Sequence, residues 1–270
     1  MVDRRSFLAL SVAAVGAGGL APSAWANEGP WPAIRAYLFA DREINDGAGV
    51  LALEAPKRAH DAAVVPVTIQ ALMPQTPERY IRTVHLIVDV NPAPIAGVFR
   101  FYPETGDATL ATRLRVNAYT PVRAIAETSD GQLYMVERFV KASGGCSAPA
   151  MKDHEQAMAR LGQMKLKQTA PFVPGVPNQA QLLISHPNYT GLQIDQLSRH
   201  WIPPDYINRI EVRYGDRPVL TVEGDISLSE DPSLTFSFVP DQPGALRVSV
   251  EDTKGRHFEE DFTIGPGQSS

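Results

Sequence analysis

The chain has 270 residues, 44% of them hydrophobic, with 25 basic and 30 acidic side chains and a net charge of −5. That is enough apolar material for one large domain or two modest ones. A mildly acidic sequence with no basic run excludes electrostatic binding to nucleic acid or to an anionic membrane. The single cysteine excludes an internal disulfide, a cysteine-built zinc site and an iron–sulfur cluster.

The N-terminus reads as a targeting segment. Arg4-Arg5 precedes Ser6-Phe7-Leu8 and an apolar run from Ala9 to Leu20, and Ala24-Trp25-Ala26 offers a small-residue cleavage site. The run is too short to cross a bilayer as a stable helix. Residues 1–26 are therefore predicted to be a signal peptide. The twin arginine resembles a Tat signal, and a Sec signal that carries two arginines is the alternative. Either predicts a mature protein that begins near Asn27 in the periplasm, an oxidising compartment. No later segment is apolar for 18 residues, so the mature protein is predicted to lack a membrane span.

Residues from about Pro32 to Ala40 are predicted helical, with Ile34, Tyr37 and Leu38 available for an apolar face. Period-two segments then dominate. Positions 84, 86, 88 and 90 are Val, Leu, Val and Val. Leu114 and Val116 alternate with Arg113 and Arg115; Ile210, Val212 and Tyr214 alternate with Glu211 and Arg213. Leu234, Phe236 and Phe238, and then Leu246, Val248 and Val250, repeat the pattern. Each reads as a strand with one buried and one wet face. Turn signals such as Asn91-Pro92, Asp130-Gly131, Gly215-Asp216 and Asp231-Pro232 separate them. The predicted fold class is all-β: two immunoglobulin-like sandwiches.

Residues Ala150 to Lys167 contain no proline and one glycine, and Met151, Met158, Leu161 and Met164 fall near helical spacing. They are predicted to form a helix whose methionines pack on a domain rather than hold a metal or cofactor. Thr169 to Asn178, with Pro171, Pro174 and Pro177, reads as a semi-rigid linker. The predicted division is a first β-domain over 27–142, an arm, helix and linker over 143–179, and a second β-domain over 180–265.

The chain is poor in recognisable catalytic motifs. His60, His85, His154, His186, His200 and His257 include no pair at i,i+3 or i,i+4, and there is no Gly-x-Ser-x-Gly elbow or phosphate loop. His85 lies opposite the apolar face of its strand and is expected to be solvated or at an interface. No cofactor is implied. What remains is Cys146 in Ser143-Gly144-Gly145-Cys146-Ser147-Ala148-Pro149. The two glycines predict a hinge and an exposed thiol on a mobile arm. Ser147 is a candidate N-cap with Pro149 in the first turn, which would put the thiol beside a helix dipole and favour the thiolate. A free cysteine buried in a core is the plainer alternative. A cysteine–histidine enzyme is a further one, but a diglycine arm is a poor place to hold a histidine against sulfur.

These residues carry a resemblance. Leu53-Glu54-Ala55-Pro56, Val64-Val65-Pro66-Val67, Asn91-Pro92-Ala93-Pro94, Thr112-Arg113-Leu114-Arg115 and Asp130-Gly131 precede Gly144-Gly145-Cys146 in that order. His186-Pro187, Thr190-Gly191, Ile202-Pro203, Tyr206-Ile207, Asp231-Pro232 and Asp252 before Gly255 follow. In this sequence the chain resembles a fused SoxY–SoxZ sulfur carrier, and more narrowly the SoxYZ-like carriers associated with quinoprotein dehydrogenases. The resemblance implies two packed immunoglobulin-like domains and a swinging arm. Its cysteine, here Cys146, carries sulfur-oxidation intermediates covalently and without independent turnover. It implies partners among periplasmic sulfur-oxidation enzymes or cytochromes, or a quinoprotein dehydrogenase. The alternative role is a non-catalytic docking module for such a dehydrogenase. The chain departs from the family at its arm. The family's arm ends the chain as Gly-Gly-Cys-Gly-Gly, whereas here Gly-Gly-Cys-Ser-Ala is followed by 122 more residues. A tethered arm reaches less far than a free tail.

Overall fold

The computed structural model describes residues 29–150, 154–196 and 198–267; the predicted signal peptide lies outside them. Helix α1 (Trp31–Phe39) opens the described chain, with proline at its first turn, where a missing N–H costs nothing. Eight strands follow: β1 (Ile44–Asp46), β2 (Leu51–Glu54), β3 (Val65–Ala71), β4 (Ile81–Val88), β5 (Ile95–Phe101), β6 (Leu110–Leu114), β7 (Thr120–Thr128) and β8 (Leu133–Val140). Then come α2 (His154–Ala159) and β9 (Met164–Gln168), β10 (Asn178–Ile184), β11 (Ile207–Tyr214), β12 (Arg217–Gly224), β13 (Ser233–Phe238), β14 (Gly244–Asp252) and β15 (His257–Ile264).

The strands form two sheets, and both run through the whole molecule. One has the order β1-β8-β7-β4-β5-β12-β11-β14-β15, the other β2-β3-β6-β13-β10-β9. The two immunoglobulin-like halves therefore meet edge to edge. In the larger sheet β5 pairs antiparallel with β12 from Gly97↔Gly224 to Phe101↔Leu220. In the smaller one Ala111 of β6 faces Thr235 of β13. Joining the halves this way satisfies backbone groups that would otherwise be open sheet edges. It also makes one core: Val84, Phe99 and Leu114 of the first half share a cluster with Val222, Phe236 and Val248 of the second. Among the described residues, no helix is long and apolar enough to cross a membrane.

Two expectations are corrected. The helix anticipated over Ala150–Lys167 is confined, among the described residues, to His154–Ala159; Met151 lies outside them. Gly162 takes φ +77°, donates its N–H to the Ser185 carbonyl and lies flush against the Phe258 ring, which ends any helix there. Met164 then points into the core from β9, which pairs antiparallel with β10. The proline-rich stretch thus connects two strands of one sheet. The second correction is His85. It lies under α1, in edge-on contact with Phe39 at 5.1 Å between ring centres, and burial pushes its imidazole down to about 4.

Candidate functional site: a cysteine seated between the two halves

The seat begins where β6 ends. Beyond Leu114 the chain no longer follows a regular ladder, and Arg115 donates its N–H to Ser227 of the second half, 2.8 Å away. Asn91, in the Asn-Pro-Ala-Pro turn, fixes this crossing. Its Nδ2 donates to the Arg115 carbonyl at 2.7 Å and to Ser227 Oγ at 2.8 Å, and its Oδ1 accepts from the Asn117 N–H at 2.9 Å.

After β8 the arm folds back over this crossing. Gly144 donates its N–H to the Asn117 carbonyl and Gly145 to the Val116 carbonyl, at 2.9 and 3.0 Å. A Cβ on Gly145 would sit 2.0 Å from the Ala62 carbonyl oxygen, so only glycine permits this approach. Gly144 has φ +80° and faces open space. Gly145 is therefore a close-packing position, and Gly144 supplies the left-handed turn.

The second half closes the seat from above. Thr190 Oγ1 donates to the Cys146 carbonyl at 2.6 Å, and Gln193 Nε2 donates to the Ala148 carbonyl at 2.8 Å. The two clamps brace each other, since Gln193 Oε1 accepts from the Thr190 N–H at 3.1 Å. They lie on the connection between β10 and β11, which folds on itself through the bridges Tyr189↔Asp205 and Ile194↔Trp201.

Cys146 is fully buried, which overturns the expected exposed thiol on a mobile arm. The glycine pair signals a tight backbone approach here, not freedom. Ser147 is not a helix N-cap: it sits in a turn, its Oγ donates to the Gly144 carbonyl, and α2 begins at His154 among the described residues. The thiolate is disfavoured accordingly. Burial raises the Cys146 thiol to about 11, against a smaller opposing pull from Arg115. In this state the thiol is protonated at neutral pH and is a poor nucleophile.

Arg115 lies beneath the arm, 1% exposed, and its Nη1 donates to the Gly145 carbonyl at 3.2 Å. Its Nε and Nη2 have no hydrogen-bond partner among the described residues. Burial lowers the pKa of this guanidinium, and Glu230, the Cys146 thiol and Asp61 pull the other way.

A second buried cluster anchors the base of the clamping loop. His186 Nε2 lies 3.5 Å from Asp252 Oδ2 and 3.7 Å from Asp205 Oδ1, while its Nδ1 accepts the Asn188 N–H. By distance alone these three groups could hold a cation. Arg256 instead bonds the same two carboxylate oxygens, through Nε to Asp252 at 2.5 Å and through Nη2 to Asp205. The cluster is thereby closed by a protein cation. Burial pushes the Asp252 carboxyl up, but the backbone and side-chain N–H groups of Arg256 and the N–H of Lys254 outweigh it and hold the group below its usual range.

Sequence reasoning singled out Cys146, Gly144 and Gly145, and the structure does bring them to one place. It missed Arg115, Thr190 and Gln193. Strict alternation put Arg115 on a wet face, but the strand ends one residue earlier. Thr190 and Asn91 were visible only as members of family-like motifs.

Two family models match the chain. Residues 35–146 match "Sulfur oxidation protein SoxY" and residues 167–263 match "Sulphur oxidation protein SoxZ". No curated protein matches. Among solved structures, the chain is similar to the sulfur carrier protein SoxY from Chlorobium limicola f thiosulfatophilum. That similarity has 21% identity and a TM-score of 0.36 over 42% of this chain and 91% of the other. A superoxide reductase (neelaredoxin) from Ignicoccus hospitalis gives 18% identity and a TM-score of 0.32 over 35% and 82%. Fibronectin(III)-like modules of CbhA from Clostridium thermocellum give 10% and 0.24 over 81% and 95%. All three TM-scores are low, and family membership rests on the two domain matches.

Proposed function

Because the chain carries a SoxY domain and a SoxZ domain fused in a single polypeptide, we propose that it is a periplasmic carrier. It holds sulfur-oxidation intermediates covalently on Cys146 and presents them to partner enzymes. One observation carries this reading: Cys146, the last residue of the SoxY match, is seated where side chains from the SoxZ half close over it. The described conformation is the sheltered state of the carrier. Thr190, Gln193, Arg115 and the Gly144 and Gly145 amides hold the arm by hydrogen bonds, each worth roughly 0.5–1.5 kcal/mol net. Release of the arm then costs roughly 3–5 kcal/mol, an open fraction of about one in two hundred to one in five thousand. Opening exposes the thiol and lets its acidity return to an ordinary value, so reactivity belongs to the open state. The proposal includes export as a folded unit by a Tat-type signal. Its partners are sulfur-oxidation enzymes or cytochromes, or a quinoprotein dehydrogenase as in the narrower SoxYZ-like group.

The complete burial of the thiol favours a second reading, in which the two halves are a docking module for such a dehydrogenase and Cys146 is a packing residue. The two readings separate on intact mass after treatment of the folded full-length protein with methyl methanethiosulfonate at neutral pH. The carrier acquires one adduct on Cys146, more slowly than the unfolded chain does. Labelling that appears only in denaturant leaves the docking module.

A further inference from the structure

Arg115 is the one feature of the seat that the closed conformation does not explain. An isolated buried guanidinium is costly, by several kcal/mol, unless its N–H groups and its charge are satisfied. The other buried arginine of the same half meets that condition. Arg123 holds Asp89 with its Nε 3.0 Å from both carboxylate oxygens, bonds Glu137 as well, and stacks 4.4 Å from the Trp31 ring centre. Arg115 is more deeply buried than Arg123, at 1% against 8%, yet among the described residues it makes one side-chain hydrogen bond, to a neutral carbonyl. That carbonyl belongs to Gly145 and is bonded directly to the amide of Cys146. Nε and Nη2, two donors in the fixed planar fork that matches an oxyanion bidentately, remain without a hydrogen-bond partner. Glu230 and Asp61 bear on its charge from nearby.

We propose that Arg115 is a specificity-determining residue of the seat: its free donors receive the terminal oxyanion of a group attached to Cys146. The closed arm therefore shelters sulfonate-ended adducts in preference to uncharged ones. This rests on Cys146 being the attachment point. An adduct ending in a sulfonate brings a negative charge against the buried cation, and it restores the hydrogen bonds that burial removed. An uncharged adduct of the same length occupies the seat but leaves the guanidinium as it was. The seat then closes well on one class of cargo and poorly on another, so the adduct sets how often the arm is presented.

A pair of adducts joined through the same disulfide link, one with a charged end and one with a neutral end, tests this on the full chain. Tetrathionate supplies the charged one. The Cys146 thiolate attacks an inner sulfur, a new S–S bond forms as the central S–S bond breaks, and thiosulfate leaves with the electron pair. The cysteine sulfur is oxidised, tetrathionate is reduced, and the thiol proton goes to solvent. The product ends in –S–S–SO3−. Methyl methanethiosulfonate supplies the neutral one, –S–S–CH3, with methanesulfinate leaving. The readout is hydrogen exchange at the Gly144 and Gly145 amides, which report arm opening. In the wild-type chain the sulfonate-ended adduct slows exchange at least tenfold relative to the methyl-ended one. In Arg115→Met the two adducts exchange alike. Equal exchange of both adducts in the wild type overturns the inference, and that comparison needs no variant to fold. Preserved discrimination in Arg115→Met overturns it too. A folded chain that takes neither reagent overturns the carrier reading along with it.

Discussion

Two arginine clusters, one under the arm and one at the base of the clamping loop, are built to opposite rules. Around Arg256 the charges are paired: the guanidinium bonds Asp205 and Asp252, and His186 Nε2, with no hydrogen bond of its own among the described residues, lies within 3.7 Å of both carboxylates. Around Arg115, the only side-chain hydrogen bond among the described residues is to the backbone carbonyl of Gly145. The first cluster pins the start and end of the loop that carries Thr190 and Gln193, from His186 to Asp205, to the end of β14. The second lies directly under Cys146. A closed charge network makes a joint, and an incomplete one beside a covalent attachment point makes a receptor. The difference lies in the pairing of the guanidinium: Arg256 bonds two carboxylates, and Arg115 bonds a neutral carbonyl.

The sharpest way to break this comparison is to remove one charge from each cluster. Asp252→Ala strands Arg256 and His186 next to a buried hole, the case in which deleting one partner of a buried pair costs about 3–5 kcal/mol. Arg115→Met removes a cation whose own hydrogen bonds are incomplete, and such replacements by an apolar residue are near neutral, within about 1 kcal/mol either way. Thermal unfolding of both variants at neutral pH reads the contrast directly. Equal losses would mean that Arg115 is as structural as Arg256, and the distinction would fall.

The comparison extends to pH, where the two clusters fail at opposite ends. Asp252 is held below its usual range, so its contribution is present above the carboxylate's ordinary value and is lost as acid protonates the folded form. Cys146 goes the other way. Its folded value is raised from 9.0 to about 11, so the closed state keeps its full stability below pH 9 and loses it as pH climbs through 11. A shift of that size corresponds to about 3 kcal/mol. Melting curves of the wild type and Cys146→Ala between pH 8 and 11 separate this from the titration of lysines and tyrosines, which both proteins share. The wild type should fall more steeply above pH 9. Parallel curves would mean that the thiol is not held away from water.

Most of the architecture was legible, because alternation reports which face of a strand is buried and most of these strands alternate. Ile210, Val212 and Tyr214 of β11 and Leu246, Val248 and Val250 of β14 all lie in the core as that pattern requires. The edge-to-edge union of the halves was not legible, since the pattern of β5 and β12 says that they are strands but not that they pair with each other. The site was half legible. The order Gly144-Gly145-Cys146 marks a special backbone, but glycine permits a flexible hinge and a tight approach equally, and only the Ala62 carbonyl decides for the approach. Ala150–Lys167 misled for a related reason: methionines near helical spacing also suit a short helix followed by a strand, and the single Gly162 divides the two.

The smallest effect probes the clamp itself. Thr190→Val keeps the shape of the side chain and deletes the donor to the Cys146 carbonyl and the acceptor for the Leu192 N–H. The Cys146 carbonyl is then unpartnered while the arm is closed and becomes solvated when it opens, so the variant acts on the closed state. A buried unsatisfied group costs about 1–3 kcal/mol. Opening should therefore become about tenfold more frequent, and labelling of Cys146 by methyl methanethiosulfonate should accelerate by the same factor. Global melting should drop by only a few degrees, since neither core nor sheet is touched. Stopped labelling time courses read by intact mass measure this. If Thr190→Val labels at the wild-type rate, the SoxZ half does not govern the arm, and the seat is held by Arg115 and the glycine amides alone.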